Sequence, residues 1–164
     1  MFNLIFLALY VLIVGVHITA KRKVLSKAAI SQKLFFYFLV IAVAPPMIIS
    51  GIGHVFFGEF IAPKIGWDPS PFEIEVGFHD IAWGLLAILA VKVRGTFCHA
   101  TVLGWSFFMI CAGINHYIEV LHVGNFAEYN FVMIFYDIGI ALLGLYFWWK
   151  WMKTNNIRFW YKAA

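Results

Sequence analysis

Apolar residues run in five stretches, each long enough to cross a hydrocarbon core of about 30 Å as a helix rising about 1.5 Å per residue. The stretches cover approximately residues 2–20, 34–57, 72–93, 96–121 and 129–152, separated by short polar or Pro- and Gly-containing segments. This pattern predicts an all-α integral membrane bundle of about five transmembrane helices in one domain, 1–164. The third run is the weakest because it contains acidic residues. The first lacks a basic leading segment and a small-residue cleavage site before Lys21, so it is expected to be a retained span rather than a signal peptide. Pro45-Pro46 is expected to kink the second span near its middle. Before the third, Ser70 suits an N-cap, Pro71 the first helical position, and Glu73 a capping box with Ser70.

Composition agrees with the pattern. The chain is 63% hydrophobic and 12% charged, against about 25% charged residues in a soluble domain. The basic residues set the orientation. Lys21, Arg22, Lys23, Lys27 and Lys33 follow the first span; Lys92 and Arg94 lie between the third and fourth; Lys150, Lys153, Arg158 and Lys162 follow the fifth; Lys64 is the exception. The positive-inside rule then gives an N-terminus out and a C-terminus in. The net charge of +4 is accordingly a topology signal that also favours lipid headgroups, and no basic domain remains for nucleic acid. The Trp148-Trp149-Lys150-Trp151 run is expected to anchor at the interface. Cys98 and Cys111 fall on one helix, too far apart to pair, and read as packing residues, as His17 reads as a hydrogen-bonded core histidine.

The same topology carries the carboxylates and most histidines to the outer side. His54, Glu73, Glu75, His79, Asp80, His116, Glu119 and Asp137 come from four spans and share one layer. Burying Asp80 and Asp137 alone costs on the order of 5–7 kcal/mol on insertion scales, so the layer calls for a role. On the third span Glu75 and His79 share a face at i, i+4, beside a small-residue face of Gly77, Asp80, Gly84 and Ala87 that also holds Glu73. All four ionisable residues are therefore expected to turn inward, away from the lipid-facing Ile74, Phe78, Ile81, Leu85 and Ile88. Asn115, His116 and Glu119 on the fourth span, Asn130 and Asp137 on the fifth, and His54 at the end of the second complete the set.

Three functional readings follow. His54, Glu75, His79, His116, Glu119 and Asp137 are candidate ligands of a divalent metal, zinc, iron or manganese, since imidazole and carboxylate suit these ions and helical i, i+3 and i, i+4 pairs build metal sites in bundles. In an enzyme such a metal would activate water or oxygen, with Asp80 or Glu73 moving protons. The second reading is a small transporter subunit that uses these residues as a proton, cation or solute pathway. The third is a structural accessory subunit, with a homo-oligomer or membrane-complex partner, in which Glu–His pairs are interhelical glue worth about 0.6 kcal/mol per contact. Axial haem ligation by His54 and His116 is disfavoured, as no CxxCH is present. No nucleophile triad, phosphate loop or dinucleotide fingerprint occurs.

Gly53-His54, Ile65-Gly66-Trp67 and Ser70-Pro71-Phe72 with Glu75-Val76-Gly77 together resemble a family of small bacterial integral membrane proteins of unknown function. The architecture is also distantly similar to the DoxX-like group. The resemblance implies a prokaryotic multi-pass helical protein of the inner (plasma) membrane and underlines the segment leading into the third span. It implies no reaction.

Overall fold

The computed structural model describes residues 2–157, and among these every regular element is helical. Helices α1 (Phe2–Lys21), α2 (Lys27–Tyr37), α3 (Ala44–Ile61), α4 (Phe72–Val93), α5 (Thr96–Val123) and α6 (Glu128–Thr154) follow one another. A π-helical stretch, Phe38–Val43, fuses α2 to α3, and a 3₁₀ turn, Ala62–Ile65, prolongs α3. The described chain thus holds five rods long and apolar enough to cross a membrane, the second being the continuous Lys27–Ile65. Of the basic flanks, Arg158 and Lys162 lie outside the described residues.

The second rod departs from expectation at both ends and in the middle. It begins at Lys27, where the Ser26 hydroxyl accepts the Ala29 N–H at 3.1 Å. Pro45 and Pro46 have no N–H, so the carbonyls of Ile41 and Ala42 lose their usual helical donors. The chain answers by widening its turn, and the Ala44 N–H reaches Leu39 O, five residues back. A second break falls at Phe57, whose φ of −133° and ψ of 27° leave helical space. The sequence places the end of the span there, yet residues beyond it coil again before Gly66 turns the chain at φ +75°.

Helices α3 and α4 meet backbone to backbone. A Cβ on Gly77 would lie 2.7 Å from Gly51 O, and one on Gly84 2.9 Å from Ala44 O. This is the small-residue seam expected of membrane helices. Glu73, Gly77, Asp80, Gly84, Ala87 and Ala90 are buried along it. Glu75 and His79 are exposed, contrary to the expected inward turn. At about 100° per residue both lie about 160° around the helix from Gly77, so the face they share is the wrong one. The capping box is also absent. The Ser70 side chain makes no cap bond, the Glu73 N–H donates to Ser70 O at 3.1 Å, and the Glu73 carboxylate lies against Gly58.

The end that carries the basic loops is packed with rings. Phe35 stacks on Trp151 at 4.9 Å, and Tyr10 meets Phe38 edge-on at 5.6 Å. Trp151 is 4% exposed, so it is core rather than an interfacial anchor, and Trp148 donates to His99 Nδ1 at 2.8 Å; only Trp149 of that run is exposed. His17 Nδ1 meets the Tyr37 hydroxyl at 3.0 Å, the bonded role expected of it. Cys98 and Cys111 are both free thiols.

Candidate functional site

At the opposite end the helices do not close on one another. They enclose a cavity of about 740 Å³ lined by residues of all five rods. Asn3 of α1, Ser50 and His54 of α3, Asp80 of α4, Trp105 and His116 of α5, and Tyr129, Tyr136 and Asp137 of α6 supply most of its polar groups. Phe57, Phe60, Ile61, Lys64, Ile65 and Trp67 form an end wall, built by the chain that coils again after the break at Phe57.

That wall is latched to His116. Asn125 Nδ2 donates to Ile65 O at 2.9 Å, and Asn130 Nδ2 donates to Asn125 O at 3.0 Å and His116 O at 3.2 Å. Trp67 stacks on the His116 ring with centroids 5.4 Å apart and planes 17° from parallel. Asn130 is fully buried, and both acceptors of its amide nitrogen are carbonyls, so the direction of the amide is settled by its partners. Its Oδ1 therefore faces His116 Nδ1 at 2.7 Å as an acceptor, and the imidazole must donate from Nδ1. This leaves Nε2 as the nitrogen free to exchange a proton. It points at Asp137 Oδ2, 3.8 Å away, beyond direct hydrogen-bonding distance.

Asp137 is 3% exposed and Asp80 6%. Ser50 acts as a hydrogen-bond partner for Asp80, and the two carboxylates lie within electrostatic range of each other, as do His54 and His116. Among the lining groups, Asp137 Oδ1, Asn3 Oδ1, His54 Nδ1, Trp67 Nε1 and Trp105 Nε1 are buried without a hydrogen-bond partner. Buried polar atoms are normally bonded, and an orphan costs about 1–3 kcal/mol; His17 Nε2, Trp83 Nε1 and both Glu73 carboxylate oxygens are orphaned outside the lining. Lys64, which also lines the cavity, holds its ammonium 3.6 Å from the centre of the Phe60 ring.

Of the six candidate ligands read from the sequence, His54, His116 and Asp137 line this cavity. Glu119 is half-buried one turn beyond His116 and does not line it. Glu75 and His79 point away, and the His79 ring packs on Phe108 at 4.5 Å and Trp83 at 5.7 Å. The six thus form no common coordination shell. Among the described residues no three His, Cys, Asp or Glu side chains group closely enough to hold a metal ion. Sequence reasoning placed Asp80 in the layer but not among the ligands, and it missed Asn3, Trp67, Tyr129 and Tyr136. An Asn in the first turn of an otherwise apolar span was the available signal for Asn3.

Taken together, five apolar rods around a partly open, largely apolar cavity with a few polar groups define a multi-pass helical membrane protein. Within that class the chain belongs to a family of unknown function, DUF6790, whose model matches residues 1–156. No curated protein and no solved structure matches the chain.

Proposed function

We propose that this protein is a membrane-embedded receptor for a small organic ligand, held in the cavity and reached from the side opposite the basic loops. The supporting observation is Asp137. A carboxylate 3% exposed, with Oδ1 unpartnered, lines a cavity whose remaining wall is largely aromatic and aliphatic. At about 740 Å³ the cavity falls within the range of about 300–1,000 Å³ typical of organic-ligand and cofactor sites. A few fixed polar groups in an apolar pocket give orientation, and His116 offers one proton-exchanging nitrogen beside them.

The observations favour this reading over the others. A metal centre built from the six candidate ligands would need Glu75 and His79, which lie on the far face of α4. A through-pathway would have to cross Phe35, Phe38, Leu39 and Val43, each no more than 1% exposed. Pure interhelical glue would leave fewer groups orphaned.

The test is a thermal-shift screen of cofactor-sized organic molecules on the protein in nanodiscs. Ligands of the cavity should raise the melting temperature, and Met109→Trp, which fills the cavity from α5, should abolish the rise. Stabilisation that survives Met109→Trp by every hit would sink the proposal. Single cysteines at Asp68 and Lys23, in a background lacking Cys98 and Cys111, test the orientation. External labelling of the Lys23 position rather than Asp68 would reverse it.

A further inference from the structure

The ligand class is legible in the charges of the lining. Asp80 and Asp137 are each at least nine-tenths buried, and among the described residues neither has a Lys or Arg nitrogen within 4.0 Å, the one ion-pair neighbour being the His116 imidazole, 3.8 Å from Asp137. Two carboxylates that feel each other in an apolar cavity are relieved by one positive charge placed between them. Asn3 Oδ1 and Asp137 Oδ1, both unpartnered, add acceptors for the donors of such a group. Trp67 and Trp105 both line the cavity, and aromatic rings attract cations and suit an apolar body. The wall already holds a cation in this manner, with the Lys64 ammonium over Phe60. A bare metal ion does not fit, because among the described residues no three His, Cys, Asp or Glu side chains group to hold one, and the volume is that of an organic molecule.

We infer that the cavity binds a monovalent organic cation, an amine or quaternary onium group on an apolar or aromatic body, with the charge seated between Asp80 and Asp137. The inference rests on the receptor reading above and names its ligand class. Anionic or neutral molecules of the same shape are discriminated against by the uncompensated carboxylates.

Equilibrium dialysis with three probes tests it, using the intact protein in zwitterionic nanodiscs and empty nanodiscs as the baseline. Tetraphenylphosphonium is the cation, tetraphenylborate its anionic isostere, and triphenylphosphine oxide a neutral relative. Saturable binding should favour the phosphonium by at least about tenfold. Asp137→Asn and Asp80→Asn should each weaken it by about tenfold or more. Glu75→Gln and His79→Ala, on the outer face of α4, should leave it unchanged. Equal or tighter saturable binding of the borate or the oxide overturns the cation assignment while leaving the receptor reading intact. The absence of saturable binding by any probe overturns both. The wild-type charge preference decides the matter even where an Asn variant fails to fold. A folded Asp80→Asn/Asp137→Asn variant that retains full phosphonium affinity also overturns it.

Discussion

The two ends of this bundle use similar residues to opposite effect. At the basic end polar side chains are mostly tied to one another or to the backbone, with His17 Nε2 left unpartnered. Ser31, Thr154 and Asn155 form a connected set in which Asn155 Nδ2 donates to Ser31 Oγ at 3.1 Å and Trp151 O at 2.9 Å, and Ser31 bonds Thr154 directly. The Tyr10 hydroxyl donates to Leu34 O at 3.1 Å and Cys98 Sγ to Ala90 O at 3.0 Å. At the cavity end His116, Asn125 and Asn130 are bonded as thoroughly, but the groups around them, Asn3, His54, Trp67, Trp105 and Asp137, each leave an atom unpartnered. On the proposed reading, the difference separates polarity that holds helices together from polarity held ready for a ligand. Only the second kind can be removed without destabilising the fold.

Substitutions can break that contrast, and the largest effect belongs to the packed end. Trp151→Ala removes a ring stacked on Phe35 and should cost about 3–5 kcal/mol, measured by unfolding in mixed micelles. Asn130→Ala comes next, although it sits beside the cavity. It strands the His116 Nδ1–H and two carbonyls, so a loss of about 2–3 kcal/mol is expected, with faster labelling of a cysteine at Asp68 as the end wall loosens. Asn155→Ala should cost about 1 kcal/mol, because Asn155 is itself half-buried and the net worth of such bonds is modest. Asp137→Leu is the smallest and the most telling. Replacing a buried carboxylate whose Oδ1 is unpartnered and whose Oδ2 meets His116 only at 3.8 Å by an apolar side chain should change stability by no more than about 0.5 kcal/mol, or raise it. A loss comparable to that of Asn130→Ala would mean that Asp137 is structural, and the contrast between the two ends would collapse.

Much of the fold was legible because membrane spans are written in long apolar runs, and the seam of Gly77, Gly84 and Ala87 in small-residue spacing. Three of the six candidate ligands, His54, His116 and Asp137, face the cavity, each on an arc it shares with small residues. Glu75 and His79 were not, because sharing a face at i, i+4 says nothing about which face it is. That decision belongs to the close approach of Gly51 and Gly77, a property of two helices together. The end wall was hidden for a related reason. Nothing in residues 58–65 alone distinguishes a loop from a short helix; the Asn125 bond to Ile65 O and the stacking of Trp67 on His116 are tertiary.

The rod Lys27–Ile65 has 39 residues. Drawn straight at about 1.5 Å per residue it would reach about 58 Å, nearly twice a hydrocarbon core of about 30 Å. The break at Phe57 interrupts that surplus length, and Phe56, Phe57 and Phe60 beside it are exposed. A bilayer thinner or thicker than that core is expected to act first on this break, and through it on the end wall of the cavity.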